Sequence, residues 1–183
     1  MTIREYLQRS FPVLDLNDIV LRELADTDAE DYFNYMNKPE IALYLTDSNR
    51  PSNLEEALSE VRYWGNLHKN QRSFYWGIAL KNNNKLIGTA GFNVITTSHL
   101  KAEISYDLDP EFWGQGIMLK SIKNILKLAD YMGLMRIQAT VITDNYRSIT
   151  LLERCGFVQE GVLKKYEIVA GEHKDYYMYA RVL

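Results

Sequence analysis

A chain of 183 residues, 46% hydrophobic and 25% charged, is long enough for one domain with a sizeable core. It has no apolar run of about 18 residues, which leaves no membrane span, and Met1-Thr2-Ile3-Arg4-Glu5-Tyr6 lacks the apolar core of a signal peptide. The net charge of −3 is unevenly spread: twelve acidic residues face three basic ones between Asp15 and Glu60, while the positive excess lies mainly in residues 61–100. An acidic first third suits a cationic partner or, equally, a solvated helical surface. No basic stripe marks a nucleic-acid binder. The single cysteine, Cys155, excludes an intramolecular disulfide and fits a reducing compartment, so the cytoplasm is expected.

Residues 1–17 read as an extension ahead of the core, and the whole chain as one domain. Asp18 to Leu24 alternates as a strand. Asp26 or Thr27 caps a helix to about Asn37, which Pro39 ends. Ser52-Asn53-Leu54-Glu55 opens a second helix running to about Lys69. Three strands follow, Ser73–Leu80, Leu86–Ile95 and Ala102–Leu108. Gly88 and Gly91 in the second of these signal a bulge or a close backbone approach. A helix from Gly116 to Gly133 carries Leu119, Ile122, Leu126 and Ala129 on one stripe. Then come a strand (Ile137–Ile142), a short helix (Asn145–Arg154) and strands over Phe157–Leu163 and Tyr176–Leu183. The order predicts a mixed α/β domain with a central, partly antiparallel sheet.

The stretch with most chemical content is Asp107-Leu108-Asp109-Pro110-Glu111-Phe112-Trp113-Gly114-Gln115-Gly116-Ile117-Met118. A strand ends, a proline turn follows, and two glycines open an amphipathic helix, so backbone N–H groups converge on an anion. The turn is no nucleoside-triphosphate loop, because Gly-x-x-x-x-Gly-Lys-Ser/Thr is missing. It is no dinucleotide fingerprint either, because Leu119 stands where the third glycine belongs. His68, His99 and His173 lack metal-site spacing. Cys155 reads as a packed core thiol.

In these segments the chain resembles the GNAT superfamily of acyl-CoA N-acetyltransferases, and within it the RimJ/RimL-like branch. The resemblance runs from about Val20 to the C-terminus. It rests on Ala102-Glu103-Ile104-Ser105-Tyr106, on Pro110 to Ile117, on Asn145-Tyr146-Arg147-Ser148 leading into Leu152-Glu153-Arg154-Cys155-Gly156-Phe157, and on Gly171 to Asp175 with Tyr179 beyond. It implies a GNAT-like fold with a mostly antiparallel sheet flanked by helices. It also implies acetyl-CoA as acyl donor. Trp113 and Met118 depart from the family pattern Gln/Arg-x-x-Gly-x-Gly/Ala, and Met118 is expected to narrow the space beside the pyrophosphate.

By the resemblance, Trp113, Gly114, Gln115, Gly116, Ile117, Met118 and Leu119 form the pyrophosphate turn, with main-chain N–H groups as donors. Tyr106, Asp107 and Leu108 lie along the pantetheine arm and meet it through the backbone. Asn145 and Ser148 stand near the arm and the sulfur. Glu103 is the candidate base, which must leave the amine neutral before it can attack, and Ser148 the candidate acid for the departing thiolate. Both residues also have ordinary roles, Glu103 as a strand carboxylate and Ser148 in helix capping. The acceptor is an amine, with a protein N-terminus (ribosomal proteins included) as the branch's characteristic class. Small amines such as polyamines, amino acids or antibiotics are the alternative, and a non-catalytic acyl-CoA-binding regulator is a third reading. A homodimer stays open.

Overall fold

The computed structural model describes residues 2–183, with the backbone alone at Asp47; Met1, which begins the stretch read for a signal peptide, lies outside the described residues. In chain order the elements are α1 (Ile3–Leu7), β1 (Leu14–Leu16), β2 (Ile19–Arg22), α2 (Ala29–Met36), α3 (Pro39–Ala42), α4 (Leu54–Lys69), β3 (Tyr75–Leu80), β4 (Leu86–Thr96), β5 (Lys101–Leu108), α5 (Ile117–Met132), β6 (Arg136–Ile142), α6 (Tyr146–Arg154), β7 (Val158–Val169) and β8 (Glu172–Val182). The strands form one sheet in the order β1-β2-β3-β4-β5-β6-β8-β7. Every neighbouring pair is antiparallel except β5 and β6. α5 makes the crossover that a parallel pair requires.

Period-2 alternation sends apolar side chains to both faces of the sheet. On one face Ile104, Leu108, Ile137 and Ala139 pack against Ile122, Ile125 and Ala129 of α5 and Leu152 of α6. On the other, Tyr75 and Leu86 pack beneath Tyr32, Tyr35 and Met36 of α2 and Ala57 and Val61 of α4.

The segment expected to be an extension belongs to the main core. Ile3, Leu7 and Leu16 are buried there, and the Tyr6 ring meets Phe74 and Tyr131 edge-on. Pro39 closes α2 and then begins α3 at its first turn, where a missing N–H costs nothing. The cap of α4 is Asn53 rather than Ser52, and its side chain accepts from the Glu56 N–H at 2.9 Å. β7 and β8 form one long hairpin through Ala170 and Gly171. β7 extends six residues past its expected end, and its register to β8 shifts twice, between Gln159 and Gly161 and between Leu163 and Glu167.

Two irregularities in β4 shape the middle of the sheet. A bulge falls between Phe92 and Val94, with Asn93 the extra residue against β5. Gly91 lies so close to β3 that a Cβ there would stand 2.5 Å from Tyr75 Cα and 2.6 Å from the Phe74 carbonyl oxygen. Backbone cannot yield as a flexible side chain does. Gly91→Ala should therefore cost about 2–3 kcal/mol and lower the melting temperature by about 5–10 °C, read by thermal denaturation at neutral pH.

Candidate active site

β5 and β6 are paired only over Lys101–Arg136, Ala102–Ile137 and Glu103–Gln138, although both strands continue, to Leu108 and Ile142. Beyond that rung a gap runs through the middle of the sheet. The bulge at Asn93 lies against the same stretch of β5, and a bulge bends and twists the strand pair that contains it. The glycine turn stands at the end of β5, and the start of α6 follows the end of β6.

At the turn Gly114 and Gly116 have φ of +76° and +75°, a conformation that β-carbons disfavour. Nothing lies within 4 Å of where a Cβ would stand on either. Gly116 is the N-cap of α5 and has no side chain to cap it, so no cap side chain competes for the first N–H groups of the helix. Such a cradle fits a pyrophosphate. It is firmly braced. Trp113 Nε1–H donates to the Leu108 carbonyl at 2.7 Å, and Lys38 Nζ bonds buried Asp109 and exposed Glu111, each at 2.6 Å. Gln115 Nε2 donates to the Glu111 carbonyl. Met118 does not crowd the turn, because its side chain is buried in the main core. Lys120 reaches the Leu16 carbonyl and so points away from the phosphate cradle.

Across the gap, Asn145 caps α6 by accepting from the Ser148 N–H at 3.1 Å. Ser148 Oγ lies 2.7 Å from the Tyr106 hydroxyl, which reaches over from β5. Burial holds the Tyr106 phenol well above its ordinary pKa, so it stays protonated at neutral pH. The Arg147 guanidinium sits 4.4 Å from the centre of the Trp113 ring, a cation–π contact that joins α6 to the turn.

The opposite face of β5 carries Glu103, Ser105 and Asp107 in one row. Glu103 is half-buried at the last paired rung and accepts from Gln138 Nε2 at 3.3 Å. Ser105 Oγ donates to Asn93 Oδ1 at 2.5 Å and lies 2.9 Å from the Tyr75 hydroxyl. Asp107 accepts from the Tyr35 hydroxyl at 2.6 Å, the Thr89 N–H at 3.0 Å and the Thr89 hydroxyl at 2.7 Å. Burial pushes its carboxyl up to about 6, against the opposing pull of those hydrogen bonds. Nearby, burial also raises Glu60, whose partner is the Tyr32 hydroxyl at 2.7 Å.

Glu103 and Ser148 thus approach the gap from opposite faces of the sheet, with the turn at its end. The Asp107 side chain carries a hydrogen-bond network that the sequence reading, limited to its backbone, left out. The signal lay in the alternation of Glu103, Ser105 and Asp107. Their partners come from distant strands and helices. Four of the twelve acidic residues between Asp15 and Glu60 are ion-paired among the described residues: Asp15 with Lys81, Glu23 with Lys69, Asp26 with Arg62 and Asp28 with Arg22.

Residues 18–158 match the family described as Acetyltransferase (GNAT) domain. The chain is 35% identical over 173 residues to the uncharacterized N-acetyltransferase YoaA of Bacillus subtilis strain 168, covering 94% of this chain and 97% of that protein. The [ribosomal protein uS5]-alanine N-acetyltransferase of Escherichia coli K12 is 30% identical over 115 residues, 62% of this chain and 59% of that one. The structure of RimL, the ribosomal L7/L12 alpha-N-protein acetyltransferase in complex with coenzyme A, aligns with a TM-score of 0.85 at 26% identity, covering 94% of this chain and 98% of that chain. The chain belongs to the GNAT acetyltransferase family. Within it the chain is an acyltransferase of the RimJ/RimL-like branch.

Asp107 supplies a pH-dependent test of this geometry. Its folded-state value of about 6 lies above the ordinary 3.8, so the native state holds the proton more tightly. That stabilising contribution is complete below about pH 4 and is lost as pH rises through about 6. Asn fits the same hydrogen bonds, with its oxygen toward Tyr35 and the Thr89 N–H. Relative to the native protein, Asp107→Asn should gain on the order of 1 kcal/mol between pH 4.5 and 7.5, read from paired melting curves.

Proposed function

We propose that the protein transfers the acetyl group of acetyl-CoA directly to a primary amine, and that the amine is the N-terminal α-amine of a protein or peptide. The observation that carries the reading is the gap beyond Glu103–Gln138, with an anion cradle at one end and a carboxylate on the far face. Acetyl-CoA supplies the activated acetyl thioester. Main-chain N–H groups from Gly114 to Leu119 hold its pyrophosphate. Tyr106, Asp107 and Leu108 border the arm on one side, and Asn145 on the other.

Each proton has a route. Glu103, on the face opposite α5 and α6, accepts the proton that keeps the amine from attacking, directly or through water. Ser148 gives a proton to the departing sulfur. The Tyr106 hydroxyl, still protonated at neutral pH, is placed to replenish it at 2.7 Å. No enzyme nucleophile is needed, and Cys155, the one thiol, is buried with its pKa raised by that burial.

For the acceptor, support comes from relatives named as ribosomal-protein alanine and serine N-acetyltransferases. A spermidine N(1)-acetyltransferase of Vibrio cholerae is also similar, at 29% identity. A polyamine is the alternative acceptor, since most carboxylates of the acidic third have no cation within salt-bridge distance among the described residues. Isothermal titration should give saturable acetyl-CoA binding, and its absence at high micromolar cofactor overturns the reading. Glu103→Gln should keep that binding and lose about 10²-fold in kcat on N-terminal peptides. Unchanged turnover removes Glu103 from the reaction.

A further inference from the structure

α1, the end of α4 and the last residues of β4 enclose a cleft of about 720 Å³. Arg4 and Arg72 line it, and no carboxylate of the described residues belongs to its walls. Like Lys85 of the basic segment, neither cation is ion-paired among the described residues, whereas Arg62, Lys69 and Lys81 are each paired with an acid. Arg4 Nε reaches only the Thr97 hydroxyl, at 3.5 Å. In a chain of net charge −3, a cleft with cationic lining is a local exception.

The cleft opens beside the row on β5. Asn93, on its wall, accepts from Ser105 Oγ, and Val94, also on its wall, is the cross-strand partner of Glu103. A molecule whose amine lies at Glu103 therefore has the cleft as its next neighbour on that face. From Val94 to Thr97 the strand advances about 10 Å, the reach of about three residues of extended peptide.

We propose that this cleft is an anion subsite for the acceptor, receiving the side-chain carboxylate of an acidic residue about three positions after the acetylated α-amine. The inference rests on the N-terminal-amine reading above and narrows it to peptides with an acidic early sequence. Guanidinium groups bind carboxylates through paired, charge-assisted hydrogen bonds. Gln8, Asn70 and Gln71, also on the cleft's walls, carry amide donors for the remaining lone pairs. A lysine at the same peptide position would meet two like charges.

The test uses the full-length protein and peptides identical except at positions three to five, which carry Asp/Glu, Asn/Gln or Lys. Binding is measured in the presence of coenzyme A, and turnover with acetyl-CoA. The acidic peptide should exceed the neutral one by about tenfold in affinity and in kcat/KM, and the ratio should fall as salt rises. In the double variant Arg4→Gln/Arg72→Gln the ratio should approach one; both residues are exposed, so the fold has little to lose. Turnover without a charge preference, or a preference that survives the double variant, overturns the subsite and leaves the N-terminal reading intact. Charge-dependent binding without turnover keeps the subsite and overturns that reading. Neither binding nor turnover of any peptide overturns both.

Discussion

The early end of pairing between β5 and β6 is the constraint on which the site depends. Past Glu103 and Gln138 two central strands have backbone groups with no strand partner on the inner side. Leaving such groups unsatisfied costs about 1–3 kcal/mol each once they are removed from water, so the gap must stay solvated or receive a ligand that pairs with it. Closure is prevented from outside. The Asn93 bulge turns β4 and β5 together, and Trp113 holds the end of β5 to the glycine turn. Lys38 ties that turn to the junction of α2 and α3, so the elements on the two faces of the sheet share a charged contact.

The gap separates two chemical environments. The side with α5 and α6 offers the uncapped start of α5 and the paired hydroxyls of Tyr106 and Ser148. The other side offers carboxylates under tyrosines, suited to a group that must lose a proton. β5 serves both because its side chains alternate: Tyr106 faces Ser148, while Glu103 and Asp107 face away from it. One strand thus presents different chemistry to each face of the sheet, and the two faces communicate only where the sheet is open.

Much of this could be read from local pattern. The helix after Gly116 announces itself by period and by its bounding glycines, and the close approach at Gly88 and Gly91 follows from glycine inside a strand. What was hidden depends on distance along the chain. α1 and β1 are too short for periodicity to register, yet Ile3, Leu7 and Leu16 reach the core. β7 continues past Leu163 because Glu167, Ile168 and Val169 pair with Lys174, His173 and Glu172 of β8, residues distant from the strand's alternating start. The length over which β5 and β6 pair has no sequence signature at all. The environment of Asp107 is set by Tyr35 and Thr89, which only the folded sheet brings beside it. Met118 shows the reverse error. A position judged by its place in a motif is governed by which side of the helix it falls on, and that side faces the core.

The two outer strands of the sheet differ in length, and the difference bears on solubility. An unpaired strand border invites another chain to add to it, which is the starting point of ordered aggregation. β1 limits the danger by being three residues long. β7 is twelve residues long with Val158, Val162, Tyr166 and Ile168 exposed, and would be a hazard if it were flat. It is not flat. Two register shifts break its ladder, Lys165 takes a left-handed φ of 51°, and Lys164 is ion-paired with Asp175 at 2.8 Å.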